Sequence, residues 1–158
     1  MAGIGVYRTA IAPEWIDYNG HLRDAYYGLI VSLATDALMD RLGMDAPYRR
    51  ASGCTLYTLE MHLSFLREVK QQQTLSANVR VLASDAKRLH VAFELLADGE
   101  TAPAAGAELM LLHVKQGETV RSAPFPPDIA AAIAALESET RALAAEVPAS
   151  RRMGLAAP

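Results

Sequence analysis

The chain has 158 residues, 15 Lys and Arg against 18 Asp and Glu, and a single cysteine. That length suits one domain, and an apolar share of 51% is enough to fill its core, which excludes global disorder. A net charge of −3 argues against a nucleic-acid binder, which needs a basic face, one cysteine excludes an internal disulfide, and no apolar run approaches the ~18–20 residues of a membrane span.

Taken in chain order, residues 6–12 read as a short strand that Pro13 stops. Residues 14–23 are polar, aromatic and turn-like around Asn19-Gly20. A helix follows, with Tyr26, Leu29, Ile30, Leu33, Ala34, Ala37, Leu38 and Leu42 at helical spacing. Only a narrow stripe through Gly28, Ser32, Asp36 and Asp40 is small or polar, so the rest of the domain should wrap this helix. Asp24 is its expected N-cap and Gly43 its expected stop.

Beyond Gly53 the period changes to two. Tyr57, Leu59, Met61, Leu63 and Phe65 alternate with Thr58, Glu60, His62 and Ser64, as in a strand with one buried face. Residues 75–83, 89–97 and 105–114 are three further strands, with Asp85-Ala86-Lys87 and Asp98-Gly99-Glu100 as the turns between them. Connections this short favour antiparallel pairing. At ~3.4 Å per residue these strands match the length of the helix. A curved antiparallel sheet around one central helix, an α+β arrangement, satisfies the pattern. Pro124, Pro126 and Pro127 then interrupt the chain, an Ala-rich helix is expected from Asp128 to about Glu146, and residues 148–158 read as a tail. Residues 1–123 thus form the main domain, and residues 124–158 a helical extension and tail of it.

The chemistry concentrates in Asp17-Tyr18-Asn19-Gly20-His21-Leu22-Arg23-Asp24-Ala25-Tyr26-Tyr27. A loop carboxylate just before a helix start can lie near the helix's free amides, which stabilise a developing oxyanion. Asp17 can then attack a carbonyl or activate a water, with Gly20 allowing a tight turn. The alternative reading makes Asp17 a turn carboxylate bonded to the Asn19 amide. Four of the ten aromatic residues, Trp15, Tyr18, Tyr26 and Tyr27, fall in this stretch, and their faces suit a quaternary ammonium, an acyl group or simply the core. Cys54 has no identifiable partner base and reads as a packing residue.

Asp17, Gly20, His21 and Tyr27 make this loop and helix resemble those of the hotdog-fold thioesterases of the 4-hydroxybenzoyl-CoA thioesterase type. The resemblance spans roughly residues 5–122 through the order of elements. It implies a hotdog fold, catalysis by Asp17, and an oxyanion held by the backbone amide of Asp24, with Asn19, Gly20 and His21 shaping the loop. It also implies CoA phosphates near Lys87 and Arg88, and Tyr57, Glu60 and His62 near the acyl group or a subunit interface. It implies no metal and no bound cofactor, CoA being part of the substrate. An ionised Asp24 beside an oxyanion is a departure, acceptable if its side chain turns to cap the helix.

Trp-Ile-Asp-Tyr-Asn-Gly-His and Cys-Thr-Leu-Tyr-Thr-Leu-Glu-Met-His-Leu resemble, more closely, the betainyl-CoA thioesterases of bacterial carnitine degradation. A thioesterase for an aromatic or medium-chain acyl-CoA and a non-catalytic acyl-CoA or small-ligand binding module are the alternatives. An acyl-thioester dehydratase ranks below them, because His21 precedes the helix. A cytoplasmic homodimer, possibly pairing again into a tetramer, is expected, with no nucleic-acid or membrane partner.

Overall fold

A computed structural model describes residues 3–143. Strand β1 (Ile4–Ala10) leads through one 3₁₀ turn (Pro13–Trp15) into helix α1 (Asp24–Arg41). A short helix α2 (Ala46–Ser52) precedes strands β2 (Cys54–Phe65), β3 (Thr74–Ser84), β4 (Arg88–Ala97) and β5 (Ala105–Lys115). The two-residue strand β6 (Arg121–Ser122) and helix α3 (Pro127–Arg141) complete the described chain. All strand pairs are antiparallel, in the order β1-β3-β4-β5-β2, with β6 beside β5. This is the α+β hotdog arrangement expected, with its additional C-terminal helix.

Helix α1 buries Tyr27, Ile30, Val31, Ala34, Thr35, Leu38 and Met39. Its apolar surface exceeds what one sheet covers, so Leu29 remains exposed beside the expected polar stripe of Ser32, Asp36 and Asp40. It ends in a Schellman motif: Gly43 takes φ +86° and donates to the Asp40 carbonyl, and Met44 donates to the Met39 carbonyl. The N-cap is Arg23, not Asp24. The chain is still extended at Arg23, whose N–H is held by the Trp15 carbonyl, so Asp24 is already the first helical residue.

Two small elements escaped the pattern of periods. Helix α2 buries no residue, so it leaves no apolar stripe; it rests on a cap, Asp45 accepting from the Tyr48 amide at 2.9 Å. Strand β6 is too short to show alternation. Both are tied down by His113, which is fully buried on β5. Its ring bonds the Tyr48 hydroxyl and the Ala123 carbonyl, each at 2.9 Å.

The alternation expected along β2 is broken by a bulge between Thr58 and Glu60. Directly opposed residues share a face. Met61, Leu63 and Phe65 oppose Leu109, Ala107 and Ala105, which face the core, whereas Tyr57 opposes the half-buried Leu112 on the other face. The extra residue shifts the parity, so Tyr57 parts from the residues it was grouped with. Strand β2 is also the sheet's edge, which leaves Leu59, Met61 and Phe65 exposed rather than buried.

Helix α3 solves an edge problem at the other side. Strand β1 pairs β3 only from Thr74 to Val79. Beyond it the Val81 N–H donates to the buried Thr140 hydroxyl at 3.2 Å, and that hydroxyl donates to the Leu136 carbonyl at 2.9 Å. Ile129, Ile133 and Leu136 pack into the core below. The expected continuation of this helix to Glu146 and the tail after it, with Arg151 and Arg152, lie outside the described residues.

Candidate active site

The loop before α1 is built as a closed turn. Ile16 and Leu22 bridge across it, the Asp17 N–H donates to the His21 carbonyl at 2.8 Å, and the Gly20 N–H donates to the Asp17 carbonyl at 3.1 Å. Gly20 has φ +80°, a conformation that side chains other than glycine's disfavour. Leu22 donates to the Val69 carbonyl at 2.7 Å and His21 bridges to Lys70, which pins the turn to the segment leaving β2.

Within this turn Asp17 Oδ1 accepts the Asn19 amide at 2.8 Å and the His21 amide at 3.2 Å. The His21 amide first, and then that of Asn19, hold the Asp17 carboxyl below its ordinary 3.8, so it is an anion at neutral pH. The turn role foreseen for Asp17 is therefore real, and it leaves the carboxylate partly exposed. His21 Nε2 stands 3.0 Å from Glu68 Oε2, a contact that fixes the ring.

Asp17 and Asp24 line one open cleft of about 540 Å³, together with His21, Tyr18, Tyr27 and Phe65. Its wall is completed by Leu22, Arg23, Leu66, Arg67 and Glu68. Of the amides that open α1, that of Tyr26 donates to the Arg23 carbonyl at 3.0 Å and that of Ala25 to the Asp24 side chain, while that of Asp24 has no acceptor among the described residues; the positive end of the helix dipole lies here. The cleft thus combines a fixed anion with the Asp24 amide and the positive end of the helix dipole, which suit developing negative charge. Asp24 Oδ1 accepts the Ala25 amide at 2.8 Å, so the side chain does bond the first turn, while remaining exposed at the cleft.

The aromatic residues divide. Tyr18 is 93% exposed and lines the cleft. Tyr27 is buried beneath Phe65, edge to face at 5.2 Å, with its hydroxyl directed at the Arg67 carbonyl. Burial pushes the Tyr27 hydroxyl pKa up, so it stays protonated. Trp15 and Tyr26 stack on each other at 5.3 Å, outside the cleft lining.

Tyr57, Glu60, His62, Lys87 and Arg88 do not line this cleft. Arg88 lies level with Leu112, and Leu112 with Tyr57, eight residues or ~27 Å along β2 from Phe65. Glu60 and His62 pair at 2.8 Å on the outer face, beside a second pair, His90 and Glu108 at 2.7 Å, that the sequence did not signal. Arg88 is occupied by Asp85, Nη2 to Oδ2 2.6 Å, and Lys87 reaches only the Ser122 hydroxyl at 3.3 Å. The amides of Lys87 and Arg88 and the Arg88 guanidinium hold the Asp85 carboxyl at about 2. Leu22, Arg23, Phe65, Leu66, Arg67 and Glu68 were missed as cleft residues; the one trace of the last four is that Leu66 puts an apolar residue on the polar side of the strand pattern.

A curled sheet around a long helix, with a carboxylate loop at that helix's start, defines a hotdog thioesterase. The chain belongs to the Thioesterase-like superfamily, whose family model matches residues 11–133. Among individual proteins, it is 46% identical to a betainyl-CoA thioesterase of Pseudomonas aeruginosa, covering 94% of this chain and 93% of that one. A Pseudomonas putida KT2440 structure described as a candidate thioesterase superposes with a TM-score of 0.87 at 41% identity, over 99% of both chains. A Staphylococcus aureus protein solved in complex with CoA gives 0.81 at 26% identity, covering 100% of this chain and 98% of that one.

Proposed function

We propose that the protein hydrolyses betainyl-CoA to glycine betaine and CoA. The observation that carries this reading is the shared cleft of Asp17 and the start of α1, in a chain similar over nearly its whole length to a betainyl-CoA thioesterase. The thioester carbonyl oxygen accepts the Asp24 N–H, and the dipole of α1 stabilises the charge that develops there. Asp17 attacks the carbonyl carbon, or takes a proton from a water that does so. The carbon–sulfur bond breaks, the CoA thiolate takes up a proton, and water supplies the hydroxyl of the released acid. Asn19 and His21 set the Asp17 carboxylate through their amides, and Gly20 permits the turn.

The working unit in this reading is a homodimer joined along the open edge of β2. Two-fold pairing of that edge is antiparallel, so the Cys54 end of one strand lies beside the Phe65 end of the other. Tyr57, Glu60, His62 and the turn carrying Lys87 and Arg88 thereby approach the cleft of the neighbouring copy. Lys87 is the freer of the two cations to meet CoA phosphate, because Arg88 is neutralised by Asp85. A cytoplasmic setting goes with this activity.

Free-thiol release from betainyl-CoA, acetyl-CoA, a medium straight-chain acyl-CoA and benzoyl-CoA tests the reading, with wild type and Asp17→Asn. Preference for betainyl-CoA is expected, and the variant should lose roughly 10²–10⁴-fold in turnover. Near wild-type hydrolysis by Asp17→Asn would remove Asp17 from the mechanism. Preference for benzoyl-CoA or the medium chain would discard betainyl-CoA and leave the hydrolytic mechanism in place.

A further inference from the structure

Asp24 is an awkward residue for a site that must hold an oxyanion. Asp24 lines the cleft and is exposed, and its amide opens α1. The other two carboxylates of the cleft are engaged. Asp17 Oδ1 accepts two amides, and Glu68 pairs with His21 at 3.0 Å. Asp24 accepts one amide, that of Ala25; Arg23 and Arg67 line the same cleft, but among the described residues no cation stands within ion-pair distance of Asp24. For a neutral acyl group this charge opposes the one forming on the carbonyl oxygen.

The sign reverses for a cationic acyl group. We infer that the Asp24 carboxylate is the counter-charge by which this cleft selects an acyl group carrying a fixed positive charge next to the thioester. This rests on the proposed substrate. In a trimethylammonioacetyl thioester a single methylene separates the nitrogen from the carbonyl carbon. A carbonyl bonded to the Asp24 amide therefore brings the ammonium within a side-chain length of the same residue's carboxylate. The cation then compensates Asp24 and itself favours the oxyanion. The exposed rings of Tyr18 and Phe65, at 93% and 54%, line the same cleft and offer faces for the methyl groups. Trp15 and Tyr26 spend their facing surfaces on each other and lie outside it.

The competing account gives Asp24 a purely structural role, an acid favoured by the helix dipole. That role affects stability and treats all acyl groups alike. The discriminating pair is betainyl-CoA and 3,3-dimethylbutanoyl-CoA, in which carbon replaces the quaternary nitrogen and the shape is kept. Thiol release gives kcat/KM for each with wild type, Asp24→Asn, Asp24→Glu and Asp17→Asn, alongside thermal unfolding. Wild type should prefer betainyl-CoA. Asp24→Asn should reduce that preference at least tenfold, by losing betainyl-CoA turnover and gaining on the neutral analogue. Asp24→Glu should keep the preference, and Asp17→Asn should lose both substrates together. An unchanged ratio in a folded Asp24→Asn, or equal losses on both substrates, overturns the inference and leaves the proposed substrate standing. A wild type that does not prefer betainyl-CoA overturns both.

Discussion

Asp17 takes its properties from the five-residue turn in which it sits. Two backbone amides converge on one of its oxygens, and that is why its pKa is lowered although the group is partly exposed. The sign follows directly. A depressed carboxylate is ionised across the neutral range, and activity that needs the anion is lost only as pH falls through the lowered value. The acid limb of kcat/KM for the CoA thioester should therefore lie below 3.8, or at the limit set by acid unfolding. A limb near pH 6 in a folded enzyme would show that a group other than Asp17 sets the active form. The turn's own contribution to stability runs the same way: it is present above the ordinary carboxylate pKa and lost as pH falls through the folded one. Asp17, Gly20 and His21 were legible because the loop motif is contiguous in sequence. Asp24 was placed one residue wrong, as a cap, because the carbonyl that holds Arg23 comes from Trp15 and leaves no local pattern.

Among the elements, the helices show why periodicity finds some structure and not other structure. Helix α1 and the strands announce themselves because each presents a repeating apolar face to a common core. Helix α2 presents none and is held by polar contacts, among them the Asp45 cap, Arg49 on the Met44 carbonyl and the buried His113. Helix α3 was legible as a helix, and its task was not. It covers the stretch of β3 that β1 leaves unpaired, and Thr140 is the residue that closes the edge. Thr140→Val keeps shape and volume while removing the acceptor for the buried Val81 N–H. The expected cost is about 1–3 kcal/mol, read as a lowered denaturation midpoint at unchanged m-value. Stability equal to wild type would mean that Val81 finds another acceptor. The bulge in β2 is the clearest limit on reading strands from alternation. Tyr57 and Met61 share a sequence parity, yet one inserted residue puts them on opposite faces.

For the whole molecule, the two ends of the sheet matter more than its middle. Among the described residues strand β2 leaves its outer edge unpaired, carries neither proline nor lysine, and exposes Leu59, Met61 and Phe65. Such an edge invites pairing with another strand. Leu59→Lys with Met61→Lys should halve the sedimenting mass and abolish thiol release together. A fully active double variant of unchanged mass would exclude β2 from the interface. The proposed dimer would bring Lys87, which one copy keeps ~27 Å along the sheet from its own Phe65, toward the neighbouring cleft. Lys87→Ala should raise KM for the CoA thioester several-fold and leave KM for a truncated thioester without the nucleotide unchanged. Equal effects on both would remove Lys87 from phosphate binding.

By itself the sequence determined the helix and its strands and the loop that carries Asp17, because each depends on residues that are neighbours or lie at a fixed short period, and the resemblance carried by that loop supplied the hotdog class. It also named the aromatic residues around that loop, without separating those that face the cleft from those that fill space. Only the tertiary structure decided that Tyr18 and Phe65 line the cleft while Trp15 and Tyr26 stack away from it. The tertiary structure alone also placed Glu68 against His21 and set Lys87 and Tyr57 at the far end of the sheet. Those relations depend on strand register, a bulge and the packing of segments far apart in the chain, and no local pattern of residues encodes them.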